Sequence, residues 1–349
     1  MKPRVLLGMS GGVDSSVSAL LLQEMGYEVV GISFLFYGET EVSTDIFADA
    51  KNLADQLNIR HFIADSRSEF RITVINYFIK EYRAGKTPFP CAWCNPEMKF
   101  KALLQYAEIE KCDWIATGHY AQVKDYQGKN FIFEGVDPDK DQSFFLWGLN
   151  STVLNRLILP LGAFTKTEIR KLAAERGFVK LSEKKDSLGI CFTPNGDYRE
   201  FLQKEGILSE PGNFVNANGE ILGRHSGIIN YTVGQRRGLG VNLNFPVFVA
   251  EICPDDNEIV LAEYSNLYRT KVYLRNIQLV DKQEINSNKI YNVKIRYRLQ
   301  LTPCNLHILE EGRAEVRLLK PEAMIAPGQT AVFYDGERLI GGGFIESSE

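Results

Sequence analysis

The sequence lacks any long apolar run. No stretch approaches the roughly 18 residues needed to cross a bilayer, which excludes a membrane-spanning helix. The opening segment, MKPRVLLGMSGG, carries a basic residue but only a short apolar run, with no signal-peptide core or cleavage site. That predicts a cytoplasmic protein with no membrane partner. Cysteine is scarce: the 349 residues include six, at 91, 94, 112, 191, 253 and 304. In a reducing compartment these are thiols, so a stable disulfide framework is excluded. An excess of basic charge is missing too, since the formal net charge is −4. Taken as a sum, that argues against a nucleic-acid partner. Internal repeats and low-complexity tracts are also absent. What remains is ordinary: 44% hydrophobic and 24% charged residues, enough for each domain to build a core. At roughly 150 residues per domain, the length suggests two or three domains.

Strand-like and helix-like segments alternate over the first two hundred residues. Arg4–Gly8, Glu28–Phe36, His61–Ala64 and Trp114–Thr117 are apolar and strand-like. Asp14–Glu24, Thr44–Asn58 and Ile72–Tyr82 carry apolar residues at helical spacing. This alternation predicts an α/β domain over residues 1–206, with a doubly wound parallel sheet and its ligand site at the carboxyl ends of the strands. Turn signals at Glu210-Pro211-Gly212 and Asn216–Gly219 mark a change of character. A small central mixed or β domain is expected over 207–270. Short strands then recur at Lys271–Val280, Tyr291–Arg298, Asn305–Leu309, Ala314–Leu319, Ala331–Tyr334 and Leu339–Ile345. They predict a C-terminal β barrel over 271–349.

The strongest motif is Ser10-Gly11-Gly12-Val13-Asp14-Ser15-Ser16, after the first strand and opening the first helix. Two glycines let the backbone turn so that several N–H groups face one anion. The helix N-terminus adds partial positive charge, and the serines add hydroxyl donors. Asp14 is the odd member, because a carboxylate repels phosphate unless a cation lies between them. That points to Mg²⁺. A plain glycine turn with a Ser or Asp cap would use the same residues. The loop has no lysine, so it is not the GxxxxGK[ST] loop of kinases and GTPases. It looks like the PP-loop of ATP pyrophosphatases, which cleave ATP between the α and β phosphates and adenylate a substrate. The loop alone does not choose between a tRNA thiolase and another PP-loop ligase or amidotransferase, such as an NAD-synthetase-like enzyme.

Two cysteine segments narrow the choice. One is Thr87–Phe100, TPFPCAWCNPEMKF; the other is Lys185–Phe192, KDSLGICF. Pro96, with Asn95 as cap, is expected to open a helix and put Cys94 at its N-terminus, where a thiolate is stabilised. Lys99, Lys184 and Lys185 would help. Two unrelated buried thiols would fit these segments as well. Cys112, Cys253 and Cys304 are read as small apolar side chains in cores.

Here the sequence resembles the bacterial tRNA-specific 2-thiouridylases, the MnmA family, nearly end to end. The shared stretches are SGGVDSS, the CN…E.KF segment, ATGHYA (116–121), KDQSFFL (140–146), KKDS.GICF, YTVGQRRGLG (231–240), RYR (296–298) and PGQTAVFY (327–334). The resemblance implies that ATP activates the wobble uridine of tRNAs of the Lys, Glu and Gln type. Cys191 would carry a persulfide, delivered by a sulfur-donor protein, and Cys94 would be the nucleophile that releases the sulfur. The attack would either free a nucleophilic sulfur or leave a transient Cys94–Cys191 disulfide. It also implies ATP contacts at Gly8, Met9, Ser10, Gly11, Gly12, Val13, Asp14 and Ser15, and at Phe34 and Gly118. Phe89, Pro90 and Cys91 would meet the target base. His119, Lys140, Asp141, Gln142, Arg296, Tyr297 and Gln329 would meet the anticodon stem-loop. The chain is expected to act as a monomer.

One departure stands out. Many relatives carry Asp where this chain has Cys91, and the acid–base role considered for that Asp is in doubt here. Cys91, Cys94 and Cys191 could instead hold three corners of a [4Fe–4S] cluster with one iron open to sulfide. Charge is also uneven. Residues 67–101 hold seven Lys/Arg against three Glu, and 271–298 hold seven against two acids. Local field rather than the sum draws in phosphate, so an RNA substrate stays compatible with net charge −4.

Overall fold

The computed structural model describes residues 2–38, 47–183, 189–193 and 196–349. Thr44–Ile46 of the expected second helix, and Lys184, Lys185 and the neighbouring 186–188, lie outside the described residues. The chain divides into two compact units. The first joins Met1–Val74, Cys91–Gly189 and Gly336–Ile340; the second joins Ile75–Pro90, Ile190–Asp335 and Gly341–Glu349.

The first unit opens with β1 (Arg4–Gly8), α1 (Val13–Glu24), β2 (Glu28–Leu35), α2 (Ala48–Gln56) and β3 (Arg60–Asp65). β4 (Trp114–Ala116), β5 (Ala121–Tyr126), β6 (Lys129–Glu134) and β7 (Leu157–Ile158) follow. The main sheet runs β3-β2-β1-β4-β7 with every neighbouring pair parallel. Val5, Leu6 and Leu7 are fully buried, as expected of a strand covered on both faces. Successive connections run outward from β1 to β2 and β3, and then to the other side with β4 and β7. The sheet is therefore doubly wound, and its crevice lies beyond the carboxyl ends of β1 and β4.

α1 is buried nearly all round. Ala19 and Leu22 pack with Val5, Leu7 and Ala50, while Val13 and Val17 pack with Ile169 and Ala173 of the helix Lys166–Glu175. Unpartnered hydroxyls would destabilise such a helix. Ser15 and Ser16 donate to the Gly12 carbonyl and Ser18 to that of Asp14, which satisfies these side chains within the helix.

The β5–β6 hairpin does not figure among the sequence expectations. Its strands are half polar, so their alternation is weak, and the turn signal is only Gln127-Gly128, both at positive φ.

In the second unit β8 (Gly212–Val215), β9 (Ile221–His225), β10 (Phe248–Cys253) and β11 (Glu258–Ala262) form a sheet in the order β10-β11-β8-β9. Then come β12 (Tyr268–Leu279), β13 (Tyr291–Lys294), β14 (Thr302–Ile308), β15 (Ala314–Ala323), β16 (Thr330–Asp335) and β17 (Arg338–Ser348). They run β12-β15-β14-β13-β16-β17, and a β12–β17 pairing closes them into a six-stranded antiparallel barrel. Closure is tight at Gly341, where an added Cβ would lie 2.3 Å from the Gln278 carbonyl oxygen. The strand expected over 291–298 stops at Lys294. Arg298 is left-handed (φ 67°) and the Leu299 N–H donates to the Arg296 carbonyl, so Arg296 and Tyr297 sit in a turn.

Helix Asn76–Arg83 belongs to this unit and brings a buried charge. Glu81 is ion-paired to Arg275 of β12 at 2.5 Å, with the Arg275 guanidinium over the Phe344 ring. Removing one member of a buried pair strands the other. Glu81→Ala is expected to destabilise the protein by about 3–5 kcal/mol, whereas a Glu81→Leu/Arg275→Met pair recovers most of the loss. Urea unfolding midpoints of wild type and the two variants check this.

Candidate active site

The loop between β1 and α1 follows from its glycines. Gly11 is left-handed (φ 72°), and a Cβ there would press on Asp49 and Ala50 at 3.1–3.2 Å. Gly12 is extended and gives α1 no side-chain cap. The first amides of α1 therefore have no acceptor within the helix. The Ser10 N–H donates to Ser15 Oγ at 3.2 Å, and the Ser10 and Ser15 hydroxyls lie 3.4 Å apart. Met9 is locked to the neighbouring strand: its N–H donates to the Ile32 carbonyl, and its own carbonyl accepts from Ser33 Oγ at 2.6 Å. This is a rigid cradle of donors at a helix N-terminus, suited to a phosphate group.

The loop after β4 closes over it. Gly118 approaches so near that an added Cβ would lie 3.0 Å from the Asp14 carbonyl carbon and 3.1 Å from the Ser15 nitrogen. Tyr120 donates its hydroxyl to Asp14 Oδ1 at 2.7 Å. Lys166 completes the group, with Nζ 2.7 and 2.9 Å from the two Asp14 oxygens. Among the expected ATP contacts, residues 8–15 and Gly118 thus come together at the sheet's switch point. Phe34, near the end of β2, is half-buried and stacks on Phe36 at 5.4 Å.

Asp14 needs a cation, and the chain supplies one from 152 residues away. The step from Asp14 to Mg²⁺ therefore loses its force. A hard cation wants several oxygen ligands, and the carboxylate here is already shared by Lys166 and Tyr120. Among the described residues no group of three or more His, Cys, Asp or Glu side chains is placed to hold a metal ion. Lys166 and Tyr120 are the residues at this loop that sequence reasoning missed. Lys166 sits in Thr165-Lys166-Thr167-Glu168, which reads as a capping box, and Thr165 and Glu168 do form one. Only its burial, at 7% exposure, would have singled it out.

The first cysteine segment is not the loop-then-helix expected. Pro90–Cys94, Asn95–Lys99 and Phe100–Ile109 form one continuous helical run, and its middle section is π-wound. A proline inside an α-helix clashes with the carbonyl four residues back, and a wider turn relieves that clash. Cys94 thus lies within a helix, buried at 9% exposure, and not at its N-terminus. Asn95 Nδ2 donates to the Phe145 carbonyl at 2.8 Å, and Trp93 Nε1 to that of Thr73 at 2.9 Å. Those bonds fix the turn that carries Cys94. Cys91 lies in the first turn, where burial pushes its thiol up and nearby Lys99 opposes the shift. Of the packing cysteines, burial pushes Cys112 up to about 11 and Cys304 to about 12. Cys253 is only half-buried, at the end of β10.

His119 shares a hydrogen bond with Thr117 Oγ1 at 2.7 Å and stacks on Phe100 at 6.0 Å, which joins the β4 loop to the cysteine helix. Asp141 is a buried brace: its oxygens take the Gly135 and Ser143 N–H groups and the Ser143 hydroxyl. Gln142 is a brace as well, since Oε1 accepts from the Tyr120 N–H at 2.9 Å. Lys140 is half-buried in the same segment.

In the second unit Cys191 is exposed on a tight turn, with the Thr193 N–H donating to the Ile190 carbonyl. Phe192 anchors that turn, fully buried between Phe78 at 5.1 Å and Phe201 at 4.9 Å. Gln329 Nε2 donates to the Thr87 carbonyl, and the Thr87 N–H to that of Pro327. The barrel thereby pins the chain just before Phe89 and Pro90. Arg296 is exposed in its turn beside half-buried Tyr297.

A doubly wound parallel sheet with a donor cradle at its switch point defines a nucleotide-binding α/β unit. A family model described as tRNA methyl transferase HUP domain matches residues 3–195. Two companion models follow: tRNA methyl transferase PRC-barrel domain over 199–263 and Aminomethyltransferase beta-barrel domain over 269–345. The chain is 47% identical to tRNA-specific 2-thiouridylase MnmA 2 of Phocaeicola vulgatus, over 98% of this chain and 97% of that one. It is 46% identical to MnmA 1 of Bacteroides fragilis over 99% and 98% of the two chains. With MnmA of Cytophaga hutchinsonii the identity is 43% over 99% and 98%. The chain belongs to the tRNA-specific 2-thiouridylase MnmA family.

Burial pushes His119 down to about 3 from 6.5, with Lys99 adding to the effect. Below pH 6.5 the unfolded chain therefore takes up a proton that the folded chain refuses. Stability contributed by neutral His119 is complete above that pH and is lost progressively towards pH 3. His119→Asn is expected to reduce the drop in urea midpoint between pH 7 and pH 5. An undiminished drop would show that His119 is not held neutral.

Proposed function

We propose that this chain thiolates the wobble uridine of tRNA at C2, using ATP and a persulfide sulfur. One observation carries the reading. A near-full-length match to 2-thiouridylases coincides with an intact donor cradle and with cysteines at both expected positions. ATP docks its phosphates on residues 8–15, with Phe34 and Gly118 beside the nucleotide. Uridine O2 attacks the α phosphorus, and the bond to the bridging oxygen breaks. Pyrophosphate leaves with the electron pair, and the N3 proton is lost. The uridine now carries AMP on O2, a far better leaving group than oxide. Magnesium, when bound, neutralises phosphate charge; the phosphates themselves would supply most of its oxygen ligands.

The terminal sulfur of a Cys191 persulfide then reaches C2 and AMP departs. The Cys94 thiolate attacks Cys191 Sγ, which releases the sulfur as the C2 thiocarbonyl and leaves a Cys94–Cys191 disulfide. A two-electron reductant must restore the thiols. This is ordinary thiol–disulfide exchange. Cys191 suits the carrier because it is exposed to a sulfur-donor protein. Burial pushes the Cys91 thiol up, which speaks against it as a free nucleophile. The persulfide route is preferred to the [4Fe–4S] route because it needs only Cys94 and Cys191 and asks no thiolate of Cys91. Phe89, Pro90 and Cys91 would face the base, with His119, Lys140, Arg296, Tyr297 and Gln329 toward the anticodon stem-loop. Asp141 and Gln142 would act there by shaping the segment. No helix among the described residues is long and apolar enough to cross a membrane. With tRNA as substrate, the enzyme works in the cytoplasm, and it does so as a monomer.

Cys94→Ser and Cys191→Ser are each expected to abolish 2-thiouridine while leaving ATP binding intact. Mass spectrometry of tRNA nucleosides from a deletion strain carrying each variant reads the first, and calorimetric titration the second. Wild-type levels of 2-thiouridine in either strain would sink the assignment. Iron retained on anaerobic purification and needed for activity would transfer it to the cluster route.

A further inference from the structure

The geometry points to Lys166 as the phosphate-binding cation of this site, held in reserve by Asp14 until nucleotide arrives. The inference rests on the reading that the loop at residues 8–15 binds ATP. It goes further by naming a residue that no part of the loop motif contains.

Three observations carry it. Lys166 is 7% exposed, so its ammonium is not a solvated surface charge. It begins the helix Lys166–Glu175, whose flank packs on α1 through Ile169 and Ala173 against Val13 and Val17. The backbone at that point is fixed by the Thr165–Glu168 capping box and by the Lys166 N–H donating to Asp137 Oδ2 at 2.9 Å. Finally, the ammonium ends on Asp14, in the first turn of the same helix whose N-terminal amides form the cradle.

The chemistry asks for such a group. A loop built to bind anions gains nothing from a carboxylate in its first turn unless the carboxylate positions something else. Here it positions a cation. With Asp14 neutralised, the loop presents no net negative charge to incoming phosphate. The lysine side chain is long, and an ammonium donates in any of three directions, so Lys166 can lean from Asp14 onto a phosphate oxygen. Tyr120 then keeps a donor on Asp14, since its hydroxyl already bonds Oδ1. As the bond between the α phosphorus and the bridging oxygen breaks, the electron pair settles on pyrophosphate. Lys166 offsets that added charge. It serves binding of the phosphate chain and departure of the leaving group, and takes no part in sulfur transfer.

The test is a double-mutant cycle read by ligand binding. Wild type, Asp14→Asn, Lys166→Met and the double variant are titrated with ATP and, separately, with AMP. AMP reports folding and the nucleoside pocket. If Lys166 contacts the phosphate chain, the double variant binds ATP roughly 10- to 100-fold more weakly than Asp14→Asn alone, the loss expected for a charge-assisted hydrogen bond. AMP affinity changes far less. If Lys166 only neutralises Asp14, the double variant matches Asp14→Asn for ATP, and the inference is overturned. Lys166→Gln, which can still hydrogen-bond Asp14, decides the matter should the Met variants not fold: ATP affinity falls relative to AMP if the inference holds, and stays level if it does not. Failure of the wild type to bind ATP would strike the underlying reading of the loop instead.

Discussion

A carboxylate inside an anion-binding loop is the constraint around which the first unit is arranged. Asp14 stands in the first turn of α1, where the helix terminus favours negative charge. A ligand phosphate would meet it as a like charge. The fold answers with Lys166 and Tyr120, brought from two other segments onto the same carboxylate. For Lys166 to arrive, the helix it begins must pack on α1. For Tyr120 to arrive, the strand β4 must lie beside β1. The doubly wound strand order is what makes both possible.

Further contacts radiate from that point. Tyr120 is held by Gln142, through its side chain and through the backbone. Asp141 and Ser143 lock the segment around Gln142. On the other side His119 stacks on Phe100 of the cysteine helix. The phosphate cradle, the 140–142 segment and the helix carrying Cys94 are therefore one hydrogen-bonded and stacked assembly within the first unit. Asp141 is buried and Gln142 half-buried, and both brace this segment. Their side chains hold the chain in place, and the backbone course they fix is what a ligand would meet.

The sequence disclosed features with local causes. Apolar runs gave the parallel strands, and the Gly-Gly turn gave the cradle, because each depends on residues within a few positions. Features with distant causes stayed hidden. Lys166 reads as an ordinary first-turn residue, and nothing local ties it to Asp14. The β5–β6 hairpin hides because its strands are half polar. Cys94 was expected at a helix start because Pro96 normally opens a helix. The π turn keeps the helix continuous through that proline, and Pro96 packs so closely on Gly148 that an added Cβ there would come within 2.8 Å of it. Arg296 was expected on a strand because Ile295 and Tyr297 alternate with charged residues. The left-handed Arg298 ends the pairing before that alternation can be used.

The two cysteines assigned to sulfur transfer differ in a way that suits their unequal tasks. Cys191 is exposed, on a turn held by buried Phe192 and a backbone bond. A sulfur carrier must be reached by a donor protein at every cycle, so exposure is a requirement and brings vulnerability to oxidation. Cys94 is buried within a helical run whose neighbours Trp93 and Asn95 are tied to carbonyls on other segments. A resolving thiol acts once per turnover, after the carrier is loaded and the base activated. Shielding prevents it from meeting stray oxidants or discharging a persulfide early. With the roles proposed above, the unequal burial of these two thiols matches the order of the reaction: access for the residue that must be reloaded, shelter for the one that must wait.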